Sequence, residues 1–136
     1  MAIKVDGVTP LLQVFDMPTS LKYYRDVIGF EVIMQSSPGD DCDWCCLKLD
    51  NAYVMLNTAY EQEFRPASQD SVRVAAHEDT GLYFTADPDE VYEHLRHKGL
   101  NVGPPKVAPH GMKQLYLRDP DGYVICFQCP AEQNDT

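Results

Sequence analysis

The sequence has no apolar run approaching the roughly 18 residues that a membrane-spanning helix needs. Its first residues, Met1-Ala-Ile-Lys-Val-Asp, lack the apolar stretch of an export signal, so a cytoplasmic protein is expected. Basic residues are scarce: 11 Lys and Arg stand against 21 Asp and Glu, a formal net charge of −10. Nucleic acids and anionic membranes are held through clustered cations, so neither is an expected partner. There is no glycine-rich phosphate loop and no nucleophile elbow. What the chain does have is a hydrophobic fraction of 44%, enough for a packed core.

Five cysteines are present, at positions 42, 45, 46, 126 and 129. The number is odd and no export signal precedes them, so reduced thiols are expected. Cys42/Cys45 and Cys126/Cys129 both read Cys-x-x-Cys. Residues three apart on a strand point to opposite faces, so a pair inside a strand cannot share one ion. Neither Asp43-Trp44 nor Phe127-Gln128 brings a glycine to form a zinc-knuckle turn.

Hydrophobic periodicity divides the chain into elements. Val8 to Phe15 reads as a strand. Asp16 to Ile28 reads as a helix with Leu21, Tyr24, Val27 and Ile28 on one face, Asp16 or the nearby Thr19 or Ser20 as cap, Pro18 in the first turn and Gly29 as stop. Phe30–Gln35 reads as a strand, and Asp43–Leu49 with Ala52–Asn57 as a hairpin about Asp50-Asn51. Residues 59–79 show little periodicity and read as a linker or mobile loop. The second half repeats the order. Leu82–Ala86 is a predicted strand, Asp87–Lys98 a helix, Leu100–Val107 a strand distorted by Gly103-Pro-Pro105. Gly111–Arg118 and Tyr123–Cys129 form a hairpin about Asp119-Pro-Asp-Gly122. Ala131 to Thr136 reads as a frayed polar tail.

The halves align at an offset of about 70 residues. Phe15-Asp16-Met-Pro answers Ala86-Asp87-Pro, and Gly29-Phe-Glu-Val32 answers Gly99-Leu-Asn-Val102. The expected fold class is therefore α+β: two tandem βαβββ modules, residues 8–58 and 80–129, forming a curved mixed sheet with a cleft. Neither half is long enough to bury its sheet alone, so the whole chain is expected to be a single domain.

Strand parity separates two faces. One, running through Leu12, Val14, Cys45, Leu47, Leu49, Val54, Leu56, Leu82, Phe84, Leu115, Leu117, Ile125 and Phe127, is almost wholly apolar and should lie under the helices. The other interleaves Trp44, Tyr53, Tyr83 and Tyr116 with Thr9, Gln13, Asn57, Gln114, Arg118 and Gln128. Aromatic surface with a few polar groups is the usual make-up of a small-molecule pocket.

These residues resemble the vicinal oxygen chelate superfamily, which includes glyoxalase I, bleomycin-resistance proteins and extradiol dioxygenases. The resemblance rests on Leu11-Leu-Gln-Val-Phe-Asp16 with Leu21-Lys-Tyr-Tyr-Arg-Asp-Val-Ile-Gly-Phe30, and on Leu117-Arg-Asp-Pro-Asp-Gly-Tyr-Val-Ile125. It implies four equivalent strand positions where enzymes of the family carry His, Glu or Gln around a divalent metal. Here they fall at Thr9, Met55, Gly81 and Cys126. None is a His or a carboxylate, so neither metal nor cofactor is expected. The chain is closer to the family's metal-free binders, with a small-molecule ligand and a homodimer implied. Expected ligand-binding residues are Thr9, Trp44, Tyr53, Met55, Asn57, Tyr83, His110, Tyr116, Arg118 and Cys126, with no catalytic residue assigned. A lyase, isomerase or dioxygenase of the same family, and an interaction module without ligand, are the alternatives.

Other clusters read as structural. Glu90, Glu93, His94 and His97 lie opposite the buried face set by Val91 and Leu95, and suit surface pairing. Asp119 and Asp121 lack the later ligands of a calcium loop and suit a turn. Cys46 and Cys126 have no histidine placed beside them and read as core or pocket-wall thiols.

Overall fold

In the computed structural model, residues 2–132 are described, so most of the expected tail lies outside the described residues. The chain divides into two compact units, Met1–Arg65 and Pro66–Thr136. Each holds a four-stranded mixed sheet.

The first unit runs β1 (Leu11–Val14), α1 (Met17–Leu21), β2 (Glu31–Gln35), β3 (Trp44–Leu49) and β4 (Ala52–Thr58). Its strand order is β1-β4-β3-β2. β1 pairs in parallel with β4, Leu11 opposite Met55, and the remaining pairs are antiparallel. The ladder starts three residues later than the sequence suggests. Pro10 has no N–H to give, but its carbonyl accepts from the Met55 amide at 2.8 Å.

Asp16 caps α1 by accepting from the Thr19 amide at 3.2 Å, and Pro18 sits in the first turn. The predicted helix does reach Ile28, but from Lys22 onward it widens into a π winding. The Tyr24 carbonyl then takes the amides of both Gly29 and Phe30, at 3.0 and 2.9 Å. Gly29, at φ 111°, turns the chain back toward β2. The loop between β2 and β3 is well tied. Gln35 donates to the carbonyls of Ser37 and Gly39, Arg25 bonds Asp40 at 2.7 Å, and Gln62 donates to Asp41 at 2.7 Å.

The second unit runs α2 (Ser71–Ala76), β5 (Gly81–Thr85), α3 (Pro88–His97), β6 (Lys106–Val107), β7 (Met112–Arg118) and β8 (Val124–Pro130). The order β5-β8-β7-β6, with β5 parallel to β8, repeats the first unit's topology. The strand expected over 100–107 shrinks to Lys106–Val107, because Pro104 and Pro105 cannot donate to a ladder.

Residues 59–79 are not a plain linker. They hold a short turn at Gln62–Phe64, then α2 capped by Asp70, then a turn at His77–Asp79. Within the second unit, this segment grips the β7–β8 turn. Arg73 pairs with the buried Asp121 at 3.0 Å, Gln69 donates to the Pro120 carbonyl, and the His77 ring stacks on Tyr123 at 4.0 Å. These partners lie 44 to 51 residues apart in the chain, which is why local periodicity carries no sign of them.

The apolar parity forms the core. Leu12, Val14, Cys45, Leu47, Val54, Leu56, Leu115, Leu117, Ile125 and Phe127 are all buried, joined by Met17, Leu21 and Tyr24 from the first helix and Leu95 from α3. Each such aliphatic side chain contributes roughly 1.5–3 kcal/mol. Leu49, Leu82 and Phe84 are half-buried; Phe84 stacks on Phe127 at 5.2 Å. Glu90, Glu93, His94 and His97 are exposed.

Asp119 and Asp121 serve the turn. One Asp119 oxygen accepts from the amides of Asp121 and Tyr123, both at 2.9 Å. Gly122 completes it at φ 89°, and a Cβ there would stand 2.5 Å from the Val74 carbonyl oxygen. Gly122→Ala combines left-handed backbone with a backbone clash. It should destabilise the protein by about 2 kcal/mol or more, read as a lower midpoint in thermal unfolding followed by circular dichroism.

Candidate ligand-binding site

The parity opposite the core emerges in each unit as a partly exposed aromatic face. In the first unit, Trp44 lies across the ladder from Asn57, Cys46 from Met55, and Lys48 from Tyr53. Leu11 continues the Cys46–Met55 row on the other side of β4. The Lys48 ammonium stands 5.9 Å from the Tyr53 ring centre, and Asn57 donates to Gln13 at 3.3 Å. Thr9 lies just before β1 and is exposed.

The second unit presents the corresponding row as Tyr83–Cys126–Tyr116. Here the polar groups are linked. Tyr83 and Tyr116 meet edge to face at 6.2 Å with their hydroxyls 3.2 Å apart. The Tyr116 hydroxyl lies 3.2 Å from Gln114 Oε1, and Gln114 Nε2 donates to Gln128 Oε1 at 2.8 Å. The two rings remain 54% and 49% exposed, so the amide-backed aromatic pair is open to a ligand. Beside it is a hollow of about 280 Å³ lined by Gly103, Pro104, Lys106, Ala108, Gln114 and Tyr116. Gln114, Gln128 and Lys106 were not among the expected site residues. The parity shared by Gln114, Tyr116, Cys126 and Gln128 was the signal that pointed to the two glutamines.

Two expected residues stand apart from this network. His110 is exposed and its Nδ1 accepts from the Met112 amide at 3.3 Å, a local turn contact; it does not line the hollow. Arg118 is engaged in an ion pair with Glu78. A larger hollow of about 420 Å³ lies elsewhere in the first unit, between Leu21, Phe30, Val32 and the β2–β3 loop, where Arg25 is already held by Asp26 and Asp40.

The positions where metal-using relatives would carry donors do not suit a divalent ion. Thr9 offers a neutral hydroxyl, Met55 a thioether and Gly81 nothing. A Cβ on Gly81 would lie 2.9 Å from the Tyr83 ring, so that ring already occupies the space a ligating side chain would need. Cys126 is fully buried, and burial raises its thiol pKa, keeping it protonated. Among the described residues, no three His, Cys, Asp or Glu side chains gather as a metal-binding group.

These features define an α+β protein with a doubled βαβββ module and aromatic sheet faces. The chain belongs to the glyoxalase/bleomycin resistance protein/dioxygenase superfamily, whose family profile matches residues 5–127. Among solved structures, it is similar to TioX from Micromonospora sp. ML1, with 16% identity, 93% of this chain and 100% of that one covered, and a TM-score of 0.70. It is also similar to TnmS3, an antibiotic binding protein from Streptomyces sp. CB03234, at 22% identity, 96% and 100% coverage and a TM-score of 0.66. A third is the bleomycin-binding protein of Streptomyces verticillus complexed with copper(II)-bleomycin, at 20% identity, 96% and 100% coverage and a TM-score of 0.62. At these identities the likeness establishes the fold. No curated protein matches the sequence. No helix among the described residues is long and apolar enough to cross a membrane.

The hydrogen bond with Tyr83, aided by burial, pushes the Tyr116 phenol up to about 12. Removing it in Tyr83→Phe should lower that ionisation toward the usual value near 10. An ultraviolet difference titration of Tyr83→Phe against Tyr83→Phe/Tyr116→Phe isolates the Tyr116 transition.

Proposed function

We propose that this chain binds and sequesters a small organic molecule bearing a planar ring system, without a divalent metal at the positions metal-using relatives employ. The observation that carries this reading is the exposed Tyr83–Tyr116 pair backed by Gln114 and Gln128. The rings offer stacking area, and the amides offer hydrogen bonds fixed in direction by their own network. Trp44, Tyr53, Met55 and Asn57 give the first unit a comparable face. The antibiotic-binding and bleomycin-binding proteins of the same fold support a sequestering role. Lys48 and Arg118 on these faces are engaged by Tyr53 and Glu78, while Lys106 lines the hollow beside Tyr116; a neutral ligand suits both that cation and the field of a net −10 chain. The working form in this reading is a cytoplasmic homodimer with its thiols reduced.

A thermal-shift screen of planar aromatic natural products, followed by calorimetry and Trp44 fluorescence, tests the reading. A stabilising ligand is expected, recovered unchanged after incubation, with Tyr116→Ala weakening it about tenfold or more. No stabilisation across the library with Trp44 emission unmoved, or conversion of the ligand to product, would overturn sequestration. A stoichiometric divalent metal lost on Cys126→Ala or Thr9→Ala would overturn the metal-free part. Sedimentation at the monomer mass would overturn the dimer.

A further inference from the structure

The Cys-x-x-Cys pair at positions 42 and 45 does not lie inside one strand. β3 begins at Trp44, and Cys42 sits in the loop before it. The strand rule that sends residues three apart to opposite faces therefore does not govern the pair. Both side chains turn inward: Cys42 is 1% exposed and Cys45 is fully buried. The Cys42 thiol lies against that of Cys45, and Cys45 Sγ is 3.8 Å from Sδ of Met17, itself fully buried at the start of α1. Cys45 thus has sulfur neighbours from the preceding loop and from the first helix inside the first unit. With metal–sulfur bonds of about 2.3 Å, three sulfurs in a trigonal array lie about 4 Å apart.

We infer that Met17, Cys42 and Cys45 form a buried binding site for a soft monovalent metal ion, cuprous copper in chemical class, separate from the aromatic ligand faces. Thiolate and thioether sulfur select Cu(I) over the harder divalent ions that oxygen and nitrogen ligands favour. Binding forms two copper–thiolate bonds and one copper–thioether bond and releases two thiol protons; copper stays Cu(I) throughout.

The test is anaerobic titration of the whole protein with Cu(I) delivered from its bicinchoninate complex, with X-ray absorption at the copper edge. One equivalent is expected, in a first shell of sulfur alone. Cys42→Ser or Cys45→Ser should abolish uptake, and Cys126→Ser should leave it unchanged. Met17→Leu preserves core volume and should weaken affinity about tenfold or more while circular dichroism stays native. Uptake persisting in both serine variants, uptake lost in Cys126→Ser, nitrogen or oxygen in the copper shell, or full affinity in Met17→Leu would each overturn the site. So would failure to take copper with a mass loss of two hydrogens, which marks the pair as a disulfide instead.

Discussion

The parallel pairing of each unit's first strand with its last is the constraint on which the rest depends. Parallel neighbours cannot be joined by a tight turn; the chain has to cross over, and here it does so through a helix and the two other strands. In the first unit the helix carrying Met17, Leu21 and Tyr24 supplies the cover for one side of the sheet; in the second, α3 does so through Leu95. One parity is thereby committed to the core. The other is left without a helix, and its aromatic side chains are partly exposed as a direct result. The Leu11–Met55–Cys46 and Tyr83–Cys126–Tyr116 rows are the same register position reached twice.

That doubled register also explains how the scaffold accommodates a hydroxyl, a thioether, a glycine and a thiol at Thr9, Met55, Gly81 and Cys126. A ligating side chain on these strands points away from the core parity, so replacing it costs little packing. Gly81 illustrates this: having no side chain, it leaves room for the Tyr83 ring, which lies 2.9 Å from where a Cβ would stand. Cys126 lies fully buried between two tyrosines, its thiol suited to packing rather than to holding a hard cation.

Polar interactions do a different job in the two units. In the first, exposed pairs such as Arg25–Asp40 fasten the β2–β3 loop, and each contributes modestly. In the second, Asp121 is buried against Arg73, and its turn is held from outside by Gln69 and His77. Among the described residues, no buried side-chain nitrogen or oxygen lacks a partner.

The sequence by itself determined the two modules, their helices and the apolar face, because period and capping are local properties written in adjacent residues. It also determined which side chains share the Tyr116 face, since parity follows from strand assignment alone. Only the tertiary structure decided what those residues do together. The Tyr83–Tyr116–Gln114–Gln128 chain, the separation of His110 from it, and the grip of α2 on the Asp119 turn all join residues distant in sequence. The loss of strand over 100–105 was hinted at by Pro104 and Pro105, but its extent depended on where β7 offered partners. The Cys42–Cys45 pair shows the limit most plainly. Whether two cysteines three apart face each other depends on where a strand begins, and a shift of a residue or two at Trp44 decides whether their sulfurs part or meet.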